Sequence, residues 1–496
     1  MQVPVTETVN VDVVMNNAAA AFEEYKNLSA AKRAAFLEAI AQELEAAKEA
    51  LVAAAHAETN LPLPRLNGEV GRTTGQLRLF ANLIKEGSWV NAVIDSADAT
   101  RTPARPDLRK MSLPLGPVAV FSASNFPFAF STAGGDTASA LAAGCPVVIK
   151  GHSAHLQTSL LVFDAIRKAI AVSGVPEFTV QHITGPGNLV GKQLVQHPNI
   201  AAVGFTGSFA GGTALVEYSS QREVPVPVFA EMSSINPVVF FPDTLQKNAA
   251  QLAQTYAGSI TMGMGQFCTN PGLLLAVKSP ALDSFLGLLA EEIAKIAPAK
   301  MLHAGICKSF SHKLTEVLVH KDVELLKQSA QSPAELEAYP TLAKVSATAF
   351  LADATLKEEV FGPFSLVVEC ESKAELVKVL KSLKGQLTTT LMATDEDIKA
   401  NRDILELQTT LAGRIILNAA PTGVEVCAAM VHGGPFPSTT DPRFTSVGSS
   451  AIQRWVRPVC FQGFTDDMLP DALKNSNPLN IWRNVDNSFT QSPIGA

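Results

Sequence analysis

Between Gly116 and Glu231 the chain alternates short, almost wholly apolar runs with stretches of helical spacing, and few architectures accept that pattern. Gly116-Pro117-Val118-Ala119-Val120-Phe121, Pro146-Val147-Val148-Ile149-Lys150, Phe178 to Ile183 and Ala201 to Phe205 read as strands buried on both faces. Helical stretches over Gly134 to Ala143 and Thr158 to Val172 lie between them. Strands covered on both sides need helices above and below, so the pattern predicts a parallel, doubly wound α/β sheet.

The flanks extend this reading. Val11 to Glu58 is Ala-rich with Leu, Glu and Lys at helical spacing, and Val70 to Lys85 predicts another helix. Thr102 to Arg109 is Pro-rich and charged, as an exposed hairpin or linker would be. Beyond Pro237 the alternation resumes. Helices are expected at Leu245 to Met262 and Leu282 to Ile296, and strands at Gly272 to Val277, Ser365 to Glu369, Thr388 to Ala393 and Arg414 to Asn418. A last strand candidate, Pro458 to Gln462, precedes a polar end. A chain of 496 residues exceeds one ordinary core. We expect N-terminal helices and a first α/β domain over 1–231, with the hairpin near 100–113, a second α/β domain over 232–430, and a C-terminal segment over 431–496.

With 47% hydrophobic and 17% charged residues the chain is globular, and its net charge of −7 argues against nucleic acid as the main partner. Met111 to Gly135 is free of charge, but Pro114, Pro117 and Pro127 would leave backbone groups unpaired in lipid, so no membrane partner is expected. The first basic residue is Lys26, so no secretory leader is expected. Six dispersed cysteines without a CxxC pair point to a reducing cytoplasm, with neither a disulfide framework nor metal-ligand spacing.

Four segments could carry chemistry. Cys268, in Gly265-Gln266-Phe267-Cys268-Thr269-Asn270-Pro271-Gly272, sits in a small-residue loop between a helix and a strand, where a thiol can reach a cleft. Glu231 ends the apolar run Val228-Phe229-Ala230; burial there would raise its pKa and make it a base near neutrality. Asn125, in Ser124-Asn125-Phe126-Pro127, could aim its amide at developing negative charge. Phe205-Thr206-Gly207-Ser208, with Gly211 and Gly212, is a strand–turn–helix junction of the kind that meets a pyrophosphate, though not a GxGxxG. Each alone has a plainer reading: a core thiol, a solvent-facing carboxylate, a turn asparagine, an ordinary glycine turn.

Together these segments resemble the aldehyde dehydrogenase superfamily across most of the chain. Asn125, Lys150, Gly207 to Gly212, Glu231 and Cys268 follow the family's order, and Glu358-Glu359-Val360-Phe361-Gly362-Pro363 resembles its later cofactor motif. The resemblance implies a Rossmann-like cofactor domain, an α/β catalytic domain and a small β oligomerisation element. It implies that Cys268 attacks an aldehyde, that Asn125 and the Cys268 N–H hold the oxyanion, and that Glu231 activates water against the resulting thioester. No metal is implied. Acylating, coenzyme-A-dependent relatives typically lack that glutamate, so hydrolysis is expected. A catalytically idle protein on the same fold would have little reason to assemble Asn125, Glu231 and Cys268.

Lys150, Ser153, Gly207, Ser208, Gly212, Glu359 and Phe361 are the implied cofactor residues, with Glu359 on the nicotinamide ribose and Phe361 beside the ring. NAD-preferring relatives often carry a glutamate three residues after the lysine. Ser153 stands there instead, so NADP is expected, with NAD possible. His152 and His155 are read as structural. The family commonly has two glycines where this chain has Ser233 and Ser234 after Met232, bulk that could restrict motion of Glu231 or the nicotinamide.

Ser124 to Ser131, Gly134 to Ala140, Lys150 to His155 and Gly433 to Thr439 resemble the NADP-dependent 2,5-dioxovalerate (α-ketoglutaric semialdehyde) dehydrogenase and fatty aldehyde dehydrogenase subgroup. A small aldehyde with a distal carboxylate would need a cation, for which Arg443 and Arg454 are candidates. Phe126, Phe128, Phe267 and Phe436 could instead line an apolar tunnel for a longer aldehyde. The hairpin from Thr102 to Leu113 and the strand at Pro458 to Gln462 match the family's intersubunit element, so a homodimer or homotetramer is expected.

Overall fold

The computed structural model of the protein describes residues 10–495. Four helices open it: α1 (Val11–Tyr25), α2 (Ala30–Ala46), α3 (Lys48–Thr59) and α4 (Leu63–Glu86). Asn10 and Ser29 cap α1 and α2 by accepting from Val13 N and Lys32 N, and Gly87, at φ 87°, stops α4. The apolar stripe Leu66, Val70, Leu77, Phe80 and Ile84 of α4 is buried.

The expected doubly wound sheet is present. Its five strands run in the order Val180–Ile183, Val147–Lys150, Val118–Phe121, Ala202–Thr206 and Val228–Glu231, and every neighbouring pair is parallel. Successive side chains feed opposite cores. Val118, Val120, Val147 and Ile149 join the core built with α2 to α4, while Ala119, Phe121 and Val148 join the one packed by Val11, Met15 and Ala18 of α1. Each fully buried Val or Ile side chain among these contributes roughly 1.5–3 kcal/mol.

A second sheet of seven strands runs Glu324–Gln328, Thr341–Ser346, Phe364–Cys370, Leu273–Val277, Val238–Phe240, Gln386–Met392 and Ala412–Leu417, parallel except at the first pair. Leu273 and Leu275 enter one core and Leu274 and Ala276 the other, so this sheet too is covered on both faces. The strands Glu324–Gln328, Thr341–Ser346 and Val238–Phe240 were not expected from sequence.

A third sheet joins distant parts of the chain. Leu108–Pro114 pairs antiparallel with Val456–Gln462 on one side and Val93–Asp95 on the other. The polar end adds a hairpin of Arg483–Val485 and Ser488–Thr490. Val456–Gln462 forms an edge of this sheet. Among the described residues no helix is long and apolar enough to cross a membrane.

The return segment near residues 432–446 ties these parts together. Met232 N donates to Ser438 O at 2.8 Å and Thr440 N to Ala230 O at 3.1 Å, so the segment runs along the strand that ends in Glu231.

Candidate active site

The register of the first sheet places its C-terminal strand ends side by side: Phe121 opposite Lys150 and Phe205, Thr206 opposite Glu231. The turn through Asn125, the Lys150–Ser153 segment, Gly207 and Glu231 therefore leave along one edge, where open α/β sheets bind ligands. Cys268 reaches this edge from the second sheet. Gly263, Met264 and Gly265 turn the chain with φ of 55°, 56° and 64°. A Cβ on Gly265 would lie 2.1 Å from Gly362 O, so no side chain fits there. Asn236, fully buried, donates Nδ2 to Cys268 O and Asn270 O, both at 2.9 Å, and pins the loop.

Three side chains converge at the nucleophile. His432 Nε2 lies 3.4 Å from Cys268 Sγ and 2.8 Å from Glu231 Oε1, and donor atoms of all three residues lie within 4.8 Å of one another. His432 is fully buried and Glu231 is 3% exposed, while Cys268 is half-buried. Ser446 Oγ donates to Glu231 Oε2 at 2.6 Å, and Ser446 N to His432 O at 2.9 Å, so one folded segment supplies both partners of the carboxylate. His432 Nδ1 has no hydrogen-bond partner. The proton of a neutral His432 therefore sits best on Nε2, facing Glu231 and the thiol.

This environment corrects the expected upward shift of Glu231. Burial does push its pKa up, but the positive charge that His432 carries when protonated, with hydrogen bonds from His432, Ser446 and the Cys268 thiol, holds it below the ordinary carboxylate value. Cys268 moves the other way: burial, then the charge of Glu231 and its hydrogen bond to Glu231, push the thiol well above its usual range, with Arg72 opposing. The proton rests on sulfur and the base beside it is ionised.

Asn125 is 9% exposed and donates Nδ2 to Gln266 O at 3.2 Å, two residues before Cys268. A primary amide has two hydrogens, so one remains for an oxyanion. The structure thus brings Asn125, Glu231 and Cys268 to one place.

The residues considered for a cofactor flank them. Burial lowers the pKa of half-buried Lys150, and Ser153 begins a single helical turn beside it. Burial, followed by His155 and Lys150, pushes His152 down to about 3. His155 Nε2 donates to Ala123 O, 2.8 Å away, a packing role consistent with the structural reading. Ser208 caps the helix Phe209–Ser220 by accepting from Gly211 N at 3.2 Å, while Gly207 N donates to Glu231 O at 3.0 Å. A Cβ on Gly212 would lie 2.5 Å from Met232 Sδ, so the Met232 side chain packs toward that helix. The Ser234 hydroxyl accepts from Leu387 N and shares its one hydrogen between Asn236 Oδ1 and Gln386 Oε1, at 2.9 and 3.0 Å. Glu359 and Phe361 line a hollow with Ser234, Ile235, Gly265 and Asn270. Burial pushes Glu359 up to about 8, partly offset by hydrogen bonds from Ser233 and Ser234.

The substrate candidates divide. Phe126 and Phe267, each 9% exposed, meet edge to face at 5.4 Å beside the nucleophile loop. Phe436 is 57% exposed and packs on Phe209 at 5.9 Å, and Phe128 is buried in the helical core, so the four phenylalanines do not line one tunnel. Arg443 points into solvent and pairs with Asp441 at 2.5 Å. Arg454 is buried against Asp136, 2.7 Å away, and over Trp455. Both arginines already have partners, which corrects their expected role. Sequence reading also missed His432, Ser446, Arg65 and Arg72. Only the spacing of Arg65, Glu69 and Arg72, one face of a helix, was available as a signal.

A family model described as the aldehyde dehydrogenase family matches residues 1–457. Over 464 residues the chain is 51% identical to alpha-ketoglutaric semialdehyde dehydrogenase 2 of Azospirillum brasilense, covering 93% of this chain and 88% of that one. Over 485 residues it is 47% identical to alpha-ketoglutaric semialdehyde dehydrogenase of Acinetobacter baylyi, covering 97% and 92%. Its fold is similar to that of Staphylococcus aureus betaine aldehyde dehydrogenase in complex with NAD+, with a TM-score of 0.78 at 18% identity over 91% of this chain and 87% of that one.

Proposed function

The chain belongs to the aldehyde dehydrogenase family, and we propose that it oxidises 2,5-dioxovalerate to 2-oxoglutarate through a hydrolysed thioester on Cys268. The carrying observation is the buried cluster of Cys268, Glu231 and His432 next to the Asn125 amide. The thiol proton has an ionised acceptor in Glu231 before substrate arrives. Cys268 sulfur bonds to the aldehyde carbon as the carbonyl electron pair moves to oxygen. The free Asn125 hydrogen and the Cys268 N–H hold that oxyanion.

A bound nicotinamide supplies the hydride acceptor. Lys150 and Ser153 would hold its adenosine ribose, and Gly207, Ser208 and Gly212 form the turn that would face the pyrophosphate. Glu359 would accept from the nicotinamide ribose and Phe361 would flank the ring. These residues fit such a guest: Lys150 is half-buried without a carboxylate at Ser153, and Glu359 is a half-buried carboxyl whose hydrogen-bond partners are Ser233 and Ser234. NADP is the proposed preference, because no negative charge at Ser153 repels a 2′-phosphate.

Glu231, after passing the thiol proton to solvent, takes a proton from water as the water oxygen attacks the thioester carbon; the C–S bond breaks, Cys268 leaves as thiolate, and the carboxylic acid product gives its proton to solvent. Support for the substrate comes from the two relatives named for α-ketoglutaric semialdehyde. The free edge at Val456–Gln462 supports a homodimer or homotetramer, and thiol chemistry suits a cytoplasmic setting.

The test is turnover of 2,5-dioxovalerate, succinic semialdehyde, hexanal and decanal with NADP and with NAD, with and without coenzyme A. The highest kcat/KM for 2,5-dioxovalerate, with 2-oxoglutarate as product, is expected. A preference for decanal, an acyl-coenzyme-A product, or retained turnover in Cys268→Ala would contradict the proposal.

A further inference from the structure

Once Arg443 and Arg454 are accounted for, the cation a carboxylated substrate needs has to come from elsewhere. Helix α4 supplies it. Arg65, Glu69 and Arg72 lie four and three residues apart on one helical face, which packs over the Asn125–Phe130 turn and the Cys268 loop. The Arg65 guanidinium lies over Phe267 at 4.6 Å and Phe126 at 5.0 Å. Arg72 lies over Phe130 at 5.4 Å and Phe126 at 5.9 Å. Stacking on a ring engages the face of a guanidinium and leaves its in-plane N–H fork for a carboxylate.

The two arginines are not equivalent. Arg65 is anchored, donating Nη2 to the backbone oxygen of Asn125 at 2.7 Å. Nε and Nη2 of Arg72 are buried and have no hydrogen-bond partner. Glu69 lies between them, but its Oε1 already accepts from Phe128 N and Ala129 N at 2.8 and 3.0 Å. Two guanidinium groups thus share Glu69, whose Oε1 is already engaged by the backbone. The groups that feel Arg72 are Cys268, Glu69, Glu425 and Glu231, so its charge is felt at the nucleophile. A half-buried cation with unused N–H groups, next to the reacting atom, is a site built for an anion.

We propose that Arg72, assisted by Arg65, binds the distal carboxylate of a short aldehyde acid while its aldehyde carbon meets Cys268. The inference rests on the substrate reading above and sharpens it: a rigid basic face beside aromatic walls selects a carboxylate at one end of a short chain and rejects an uncharged one. The partner charge also fixes the orientation of the aldehyde, so the selectivity is read mainly in KM.

The test compares 2,5-dioxovalerate with hexanal in the parent, Arg72→Met, Arg72→Lys and Arg65→Met. Loss of the Arg72 field on the Cys268 thiolate affects both substrates alike and cancels in the ratio of their kcat/KM values. Removing a charge-assisted, bidentate contact should lower that ratio by about 10- to 100-fold, chiefly through KM for the carboxylated substrate. Arg72→Lys, which keeps the charge but loses the fork, should fall between. Inhibition by glutarate, an unreactive dicarboxylate, should weaken in parallel. If Arg72→Met does not fold, the same ratio in Arg72→Lys and Arg65→Met decides. A parent that prefers 2,5-dioxovalerate, with variants that keep both that preference and glutarate inhibition, overturns the arginine site alone. A parent without that preference overturns the substrate reading and the site together.

Discussion

Replacing His432 with Gln keeps a donor near Glu231 but removes the imidazole that can carry a proton. Glu231 is 3% exposed, and its pKa lies below the ordinary value only because its partners outweigh burial. An opposite charge at this range shifts a carboxylate by about 1–3 units, or roughly 1.4–4 kcal/mol. Without it, burial prevails against the Ser446 and thiol hydrogen bonds that remain, and the Glu231 pKa should rise. The sign follows from the role of the base. Glu231 acts when ionised, so a raised pKa removes the active form as pH falls through the new value. The acid limb of the steady-state rate should therefore move to higher pH.

Stopped-flow absorbance of reduced nicotinamide separates the steps. The first-turnover burst reads attack and hydride loss, and the later linear phase reads thioester hydrolysis. In His432→Gln the burst should grow relative to the linear rate at mildly acidic pH, because hydrolysis slows more than acylation. An acid limb that coincides with the parent's would refute the argument that His432 holds Glu231 ionised.

Asn125→Ala should lower kcat by about 100- to 1,000-fold with a smaller change in KM, measured in steady state, because the oxyanion forms only after attack. Ser153→Glu should shift the kcat/KM ratio from NADP toward NAD by about 10-fold or more, since a carboxylate there repels a 2′-phosphate. Zn2+ should inhibit reversibly, with activity restored by a chelator, because Cys268, Glu231 and His432 offer sulfur, oxygen and nitrogen within 4.8 Å of one another. Weakening of that inhibition in His432→Gln would locate the ion at this cluster.

The doubly wound sheet was legible because Val118 to Phe121 is apolar at every position and Val147 to Lys150 at every position but the last, a pattern that strands covered on both faces require. Cys268, Glu231 and Asn125 were legible through their order along the chain. His432 was not: it meets Glu231 across 201 positions of sequence, joined by a return segment whose irregular backbone has no periodic signature. The same long-range contact reversed the direction expected for Glu231, since burial is suggested by an apolar run but a partner is not. Arg443 and Arg454 misled for a related reason. A cation's usefulness depends on whether a carboxylate already holds it, and Asp441 and Asp136 do. The strand Glu324–Gln328 and the hairpin of residues 483–490 were not legible because their polar residues interrupt any apolar run.

The most direct test of the thioester and its hydrolysis is intact-protein mass spectrometry of Glu231→Gln after mixing with aldehyde and cofactor. The variant should form reduced nicotinamide in a single burst and accumulate an acyl adduct on Cys268, released by hydroxylamine. Turnover at the parent rate without an adduct, or an adduct on another residue, would contradict it.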